Sequence, residues 1–415
     1  MITTSPDDRH NLDAVAADVW RQCKEAGFRG FDPYDGLKSR RLAPLLDRSR
    51  TLRLAVIQGV KRCPLDLRPW LGITPGLNPK GLALLLLASS RLPRLAWPED
   101  RRQLAYSLAA LASHPDGTAV FPGRRPWPGL ATAFAEKAPA AAGWGYDFPW
   151  QARAFHQPPF SPTVVVTAFV VDAFAACGHA AAAAVARAAA GFVQGHLHRH
   201  EDATGVCFSY SPYDRSRVFN ASLFAAKILA RAALNADAGT ARALREEASR
   251  AVAYVIARQQ PDGGWVYGEA NHWQWIDNLH TGFVLETIAA IANLLGEPAR
   301  WREPLERGLA FYQEHCFGAD ATPYYYADRP GTIDSHTVAQ SALTLLALSD
   351  FDPELQACAR RVLEIGVARL YDPARRGFLH QRSRIAAHRA IFLRWSQAWM
   401  LNAICACIAH EERSA

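Results

Sequence analysis

Four carboxylates lie in loops rich in aromatic residues, where they can act in catalysis. Glu269 lies in YGEANHWQW, Asp147 in GWGYDFPW, Asp277 in WIDNLHTG and Asp334 in IDSHTVAQ. Glycoside hydrolysis needs two carboxylates, one protonated and one ionised, on opposite sides of the scissile bond. Nearby Trp and Tyr rings exclude water and raise the pKa of one acid of such a pair. We therefore expect Glu269 or Asp147 as the general acid, and Asp277 or Asp334 as the base that activates water.

Each of these acids also has a purely structural explanation. Asp277 and Asp334 stand where a helix N-cap belongs, and Asp is a preferred residue at that position. Glu269 and Asp147 can be solvated acids of a loop. The sequence alone leaves both explanations open.

Two histidines accompany the capping acids. His280 follows Asp277 by three residues and His336 follows Asp334 by two, at the start of two consecutive apolar stretches. A single histidine there is usually a hydrogen-bonded core residue. Two in matching positions can form an acid–base pair that removes and returns a proton next to a carbonyl or carboxylate. They are therefore candidate catalytic residues of a sugar epimerase or lyase.

The same loops supply candidate ligands for a sugar. Sugar rings have apolar C–H faces that stack on aromatic side chains, and hydroxyls that bond to polar groups. The candidate substrate-binding residues are Trp144, Tyr146, Arg153, Tyr210, Asn220, His272, Trp273, Gln340, Arg394 and Trp395. Arg153 or Arg394 can clamp the carboxylate of an acidic sugar. Some of the aromatic residues are expected to be plugs between helices instead.

Missing motifs, the spacing of the cysteines and the distribution of basic residues argue against several other classes of protein. The sequence has no GxxxxGK[ST], no GxGxxG after a strand and no HExxH, so nothing supports nucleotide-phosphate or zinc-peptidase chemistry. The eight cysteines are scattered without a CxxC pair, and we predict structural thiols and no bound metal or cofactor. The formal charge is +7, yet the basic residues are dispersed and no nucleic-acid-binding motif is present.

An internal repeat organises these loops. Five segments share a Gly/aromatic/polar stretch followed by a helix rich in Ala, Leu and Val. These helices are predicted to start near Thr163, Asn220, Asp277, Asp334 and Arg394, at intervals of 57, 57, 57 and 60 residues. Amphipathic helices with outward Arg and Glu alternate with them. A sixth small-residue helix is predicted over 79–91, with its outer mate over 101–113.

This alternation predicts an all-α fold, an (α/α)6 toroid of six inner and six outer helices. Inner helices contact neighbours on both sides and therefore need small apolar side chains. An open solenoid is the alternative, but closing the ring removes exposed ends. We expect a single domain over 1–415, with 1–77 as an N-terminal helical extension in which 42–61 supplies an outer helix. All five loops should then meet at one mouth of the ring.

The motif QQPDGGW (259–265) resembles the Q-x-x-x-G-x-W motif of squalene-cyclase and prenyltransferase-type α-toroids. A broader similarity is to a bacterial toroid family commonly encoded with exopolysaccharide or capsule genes. It rests on FDPYDGL (31–37), IQGVKRCPLDLRPWLGI (57–73), NPKGLAL (78–84), GWGYDFPWQAR (143–153), CFSYSPYD (207–214), WIDNLHTG (275–282), IDSHTVAQ (333–340) and RWSQAWM (394–400). The resemblance implies a toroid fold and a glycan context, and it assigns no catalytic residue.

The first functional hypothesis is a glycoside hydrolase acting on an exopolysaccharide-type, acidic oligo- or polysaccharide, uronate-containing or lipid-linked. The alternatives are a sugar epimerase or lyase, a terpenoid or prenyl cyclase, and a non-catalytic glycan-binding protein of polysaccharide assembly. A cyclase is disfavoured because the sequence lacks DDxxD and DxDD runs.

The polar start (1–13) lacks the pattern of an export signal, and no apolar run is long enough to span a bilayer, so we expect a cytoplasmic protein. Oligomeric state stays open.

Overall fold

The structure is a computed structural model that describes residues 11–46, 49–63, 66–151, 156–383, 387–388 and 390–414. Helices dominate these ranges. They are α1 (Leu12–Glu25), α2 (Ala43–Leu46), α3 (Arg50–Arg62), α4 (Pro79–Arg91), α5 (Pro98–Ala110), α6 (Leu130–Glu136), α7 (Val164–Ala176), α8 (Ala182–His196), α9 (Phe219–Ala233), α10 (Ala238–Ile256), α11 (Asn278–Leu295), α12 (Arg302–His315), α13 (Ser335–Ala347), α14 (Glu354–Leu370) and α15 (Trp399–Ser414).

Six inner helices form a closed ring. Helix α4 packs on α7, and the contacts continue through α9, α11 and α13 to α15, which packs back on α4. Their side chains are almost wholly buried because each helix has a neighbour on both sides. In α4, for example, Leu82 to Leu86 are fully buried. The predicted toroid is confirmed, and the open solenoid is not observed.

Six outer helices surround the ring. Helices α5, α8, α12 and α14 pack on α4, α7, α11 and α13, and α10 packs on α9. Their outward faces carry the Arg and Glu residues that predicted them. The sixth outer helix is α1, which packs on α15. Helix α3, within the stretch expected to supply an outer helix, packs instead against the turn Asp35–Lys38 and strand β1.

Short antiparallel strands connect the helices. They are β1 (Trp150–Gln151), β2 (His156–Gln157), β3 (Arg199–Asp202), β4 (Gly205–Phe208), β5 (Ile333–Asp334), β6 (Tyr371–Asp372), β7 (Gly377–Phe378), β8 (Gln381–Arg382) and β9 (Ala387–His388). Strand β1 pairs with β2, β3 with β4, β6 with β7, and β8 lies between β5 and β9. The pairing of β5 with β8 places Asp334 opposite Gln381 and so brings a late loop against the start of α13.

Side-chain caps fix where several inner helices begin. Asn78, Thr163, Asp277 and Asp334 each accept a backbone N–H of the first turn of the helix they precede. The last inner helix starts differently, with a π-helical turn over Leu393–Ala398 that leads into α15. Of the described residues, none belongs to a helix with the length and hydropathy needed to cross a bilayer.

Candidate functional site

A cavity of about 220 Å³ opens at the N-terminal ends of the inner helices. It is smaller than the sites of drug-sized ligands, about 300–1,000 Å³. The lining residues are Tyr34, Lys80, Tyr146, Phe148, Trp150, Val165, Tyr210, Asn220, Tyr267, Leu279, His280, Phe283, Tyr325, His336, Arg394 and Trp395. The inner helices thus surround a small cavity lined by aromatic rings, which also contains cationic and imidazole groups.

The repeat explains how five of these residues come together. Lys80, Val165, Asn220, Leu279 and His336 are each the second residue of an inner helix. The N-terminal ends of the inner helices meet at one mouth of the toroid, so the same position in each helix faces the axis. The chemistry of the cavity therefore depends on which residue type each repeat has at that position.

His280 is held by the acid that caps its own helix. Its Nδ1 lies 2.6 Å from Asp277 Oδ2, while Asp277 Oδ1 accepts the His280 backbone N–H at 2.8 Å. The Trp275 indole also donates to Asp277 Oδ2 at 3.2 Å. Because Nδ1 is engaged, Nε2 is the ring nitrogen left to face the cavity, and among the described residues it has no partner. Asp277 itself does not line the cavity.

His336 faces the same cavity from the next inner helix and is 3% exposed. Its ring stacks on Trp399, with centroids 4.3 Å apart, and meets Trp395 edge-on. Both ring nitrogens lack a hydrogen-bond partner among the described residues. Burial, followed by the positive charges of Lys80 and Arg394, lowers the pKa of His336 well below its usual value. The imidazole is therefore neutral near pH 7 and can accept a proton.

Arg394 reaches the cavity from the π-helical turn and is anchored from the N-terminal segment. Its Nε and Nη2 donate to Asp32 at 2.5 and 2.8 Å. Desolvation lowers the pKa of the guanidinium, but the charge and hydrogen bonds of Asp32, together with the nearby Tyr146 and Tyr34, outweigh it and raise that pKa. Across the cavity, the hydroxyls of Tyr146 and Tyr210 lie 3.1 Å apart. Burial raises both tyrosine pKa values, so both hydroxyls stay protonated donors.

Asp334 lies behind the cavity wall. Its Oδ2 accepts hydrogen bonds from Gln381 at 2.8 Å and from the Trp395 indole at 3.2 Å, and Oδ1 caps α13. Burial raises the pKa of Asp334, and the bond from Gln381 opposes that shift in part. The acid therefore fixes the orientation of Trp395, whose ring lines the cavity.

The two remaining candidate acids lie away from the cavity lining. Asp147 binds Lys38 Nζ at 2.9 Å and Asn78 Nδ2 at 3.0 Å, which ties the N-terminal segment to the start of α4. Glu269 pairs with Arg217, Arg258 and Tyr254. Burial opposes its ionisation, but the bonds from Tyr254 and Arg258 outweigh it and lower the pKa of Glu269.

Of the predicted binding residues, Tyr146, Tyr210, Asn220, Arg394 and Trp395 line the cavity. The others do not. Trp144 is a buried core residue that donates to the Leu108 carbonyl, and Gln340 is fully buried and bonds to Glu286. His272 and Trp273 belong to a 3-10 turn outside the cavity lining, and Arg153 lies outside the described residues.

Lys80 and Tyr34 also line the cavity, and the sequence patterns did not indicate them. Lys80 was detectable in principle, because it follows a capping Asn in the first repeat at the position that His336 has in a later one. Tyr34 gave no such signal, since the N-terminal segment lies outside the repeat.

No protein-family model matches this sequence, and no curated protein matches it. Solved structures with the same fold do. Cellobiose 2-epimerase from Bacillus thermoamylovorans B4167 superposes with a TM-score of 0.57 at 10% identity, over 80% of this chain and 88% of that one. D-mannose isomerase superposes with a TM-score of 0.59 at 10% identity, over 99% of this chain and 100% of that one. An unsaturated glucuronyl hydrolase specific for heparin superposes with a TM-score of 0.56 at 12% identity, over 97% of this chain and 98% of that one.

At these identities the likeness shows a shared α/α-toroid fold, in agreement with the toroid family indicated by the sequence motifs. The link of that family to exopolysaccharide genes stays a prediction, as does a cytoplasmic location.

Proposed function

We propose that the cavity is the active site of a sugar-processing enzyme that moves a proton on a small sugar, as an epimerase or an aldose–ketose isomerase. The observation that carries this proposal is the placement of His280 and His336. Two imidazoles from consecutive inner helices line one small cavity, and each has a ring nitrogen without a partner among the described residues.

The two histidines differ in the way an acid–base pair requires. His280 is bound to Asp277, which orients its ring and points Nε2 at the cavity. His336 is buried and neutral, with a lowered pKa. One imidazole can remove the proton next to the open-chain carbonyl while the other returns a proton to the opposite face or to the neighbouring carbon. Arg394 and the Tyr146 hydroxyl can stabilise the enediolate oxygen.

The size and lining of the cavity support a small sugar. Rings of Tyr146, Trp150 and Trp395 offer stacking surfaces, and Asn220 offers a buried amide to a hydroxyl. The volume corresponds to about seven waters at about 30 Å³ each. Enzymes named cellobiose 2-epimerase and D-mannose isomerase share this fold.

Hydrolysis by paired carboxylates, the first hypothesis from the sequence, has less support. A hydrolase needs two carboxylates about 5–10 Å apart across an open cleft. Among the described residues that line the cavity, none is an acid. Glu269 and Asp147 are each engaged in ion pairs, and Asp277 and Asp334 bind neighbouring side chains.

The test is proton NMR in D2O with a panel of glucose, mannose, fructose, cellobiose, D-glucuronate and D-glucose 6-phosphate. We expect solvent deuterium to enter at C2 of an aldose or at C1 of a ketose, with a new epimer or ketose and no cleavage of the disaccharide. His280→Gln and His336→Gln should each slow exchange by about 10²–10⁴-fold, the usual contribution of an acid–base group. Exchange that neither substitution slows would refute the proposal. Release of monosaccharides without exchange would favour hydrolysis.

A further inference from the structure

Lys80 is the most unusual cavity residue, because it is a buried lysine without an ionic partner among the described residues. It is 3% exposed, and its Nζ lies 4.3, 5.1 and 5.4 Å from the ring centroids of Phe169, Trp399 and Phe283. Among the described residues, none accepts a hydrogen bond from Nζ. Lysine is almost never fully buried unless it is paired, so this side chain requires an explanation.

The other buried cations near it have partners. Arg394 binds Asp32 through two hydrogen bonds, and Lys227 binds Asp172 at 2.7 Å. The half-buried Lys61 also has a partner, since it donates to the Tyr34 hydroxyl at 2.7 Å. Lys80, in contrast, faces the cavity and not an acid. Among the described residues that line the cavity, none is an acid.

A second buried polar group lies at the equivalent position of another helix. Asn220 is 4% exposed, lines the same cavity, and its Oδ1 has no partner among the described residues. A buried amide oxygen that makes no hydrogen bond destabilises the protein, because the bond to water that it lost is not replaced. Both groups become satisfied if a ligand brings an anionic oxygen to the ammonium and a hydroxyl to the amide.

We infer that Lys80 binds the carboxylate or phosphate of an acidic monosaccharide, while Asn220 accepts a hydroxyl of the same sugar. This inference rests on the proposed function for the location of the substrate, and it adds the substrate class. The three surrounding rings stabilise the ammonium by cation–π attraction and exclude water, which strengthens an ion pair with the ligand.

The inference has a thermodynamic consequence. Burial, and then the positive charge of Arg394, lowers the pKa of Lys80 well below its usual value, whereas Asp32 opposes this shift and Lys227 adds to it. An anion in contact with Nζ raises that pKa again. Binding therefore takes up a proton at alkaline pH, where the free amine is neutral. His336 and His280 also line the cavity. Because the pKa of His336 is lowered well below its usual value, this imidazole stays neutral at alkaline pH.

The experiment is titration calorimetry between about pH 7 and 9.5, in two buffers of different ionisation enthalpy. The probes are D-glucuronate, D-glucose 6-phosphate and D-glucose. We expect at least one acidic sugar to bind tenfold or more tightly than glucose, with proton uptake at the alkaline end, and the preferred probe tells carboxylate from phosphate. Equal binding of all three sugars by the wild-type protein overturns the inference.

Three variants assign the effect to Lys80. Lys80→Met should abolish the preference for acidic sugars, and Lys80→Arg should keep the preference without proton uptake, because arginine is already charged. Lys24→Met, which changes a lysine on an outer helix, is the matched control. Proton uptake that persists in Lys80→Arg, or borohydride trapping of a sugar imine on Lys80, overturns the anion-binding role.

The binding test is independent of turnover. If acidic sugars bind through Lys80 but no sugar exchanges with solvent, the proposed function fails and the inference stands. If neutral sugars exchange through His280 and His336 and Lys80→Met leaves this unchanged, the inference fails alone.

Discussion

Asp277 and His280 form a single unit at the start of α11. One oxygen of the carboxylate caps the helix through the His280 backbone N–H at 2.8 Å, and the other holds His280 Nδ1 at 2.6 Å. The two explanations that the sequence offers for Asp277, a helix cap and a member of a site, are therefore compatible. Because the acid and the imidazole belong to one helical turn, the direction of Nε2 is set by local geometry.

Asp277→Asn separates these two roles. Asparagine is an equally good cap, so the helix should persist, but it removes the charge that orients and stabilises the imidazolium. We expect kcat for solvent exchange to fall about 10²–10⁴-fold with little change in KM. Asp237→Asn is the control, because Asp237 caps α10 through backbone N–H groups alone. If kcat is unchanged in Asp277→Asn, the carboxylate acts only as a cap.

Glu269→Gln compares the two catalytic hypotheses directly. If Glu269 is the general acid of a hydrolase, this substitution should reduce activity by about 10²–10⁴-fold. The structure places its carboxylate among Arg217, Arg258 and Tyr254 instead. We expect exchange within twofold of wild type, together with a loss of about 1–3 kcal/mol in the free energy of unfolding, because the partners lose a charged acceptor. A large loss of activity in a fully folded variant contradicts the histidine mechanism.

The repeat allowed the ring to be predicted because small-residue helices at constant spacing have one compact arrangement. It also predicted that the loops share a mouth. It did not predict which side chains face the axis, since that depends on the rotation of each helix. Nor did it predict partners remote in sequence, such as Asp32 for Arg394. Glu269 appeared catalytic because the sequence did not indicate that Arg217, from the preceding repeat, and Arg258, from the turn after α10, bind it.

The ion pair of Lys38 and Asp147 should stabilise the N-terminal segment against α4. The two atoms lie 2.9 Å apart, and the side chains are 18% and 7% exposed. Asp147→Leu leaves a half-buried ammonium unpaired, so we expect the free energy of unfolding to fall by about 3 kcal/mol in denaturant titrations. The double variant Lys38→Met/Asp147→Leu should recover most of this loss. No recovery in the double variant means that the bond to Asn78 is what matters.

Gly282 permits the close approach of α11 and α13. A Cβ at this position would lie 2.6 Å from Thr344 Oγ1 and 3.2 Å from the Tyr312 hydroxyl. We expect Gly282→Ala to destabilise the protein by about 1–3 kcal/mol through overpacking. Gly59→Ala in α3 is the control, because no atom lies within 4 Å of its Cβ position. It should stabilise by about 0.5–1 kcal/mol, since alanine is the better helix former.

His336→Phe should abolish activity and make the folded protein more stable. Phenylalanine keeps the ring stack on Trp399 and removes two buried nitrogens that have no partner among the described residues. Solvent exchange should be lost, while the free energy of unfolding at pH 7.5 rises by about 1–2 kcal/mol.

The gain in His336→Phe should grow in acid. The pKa of His336 is lowered in the folded state, so the unfolded chain binds more protons than the folded one below about pH 6.5. The wild type therefore loses about 1.4 kcal/mol per pH unit from this group as the pH falls, and the variant does not. Denaturant titrations of both proteins at pH 7.5, 6.0 and 5.0 measure the difference. A gap that stays constant with pH shows that His336 becomes protonated in the folded protein, against the neutral imidazole on which the proposed mechanism depends.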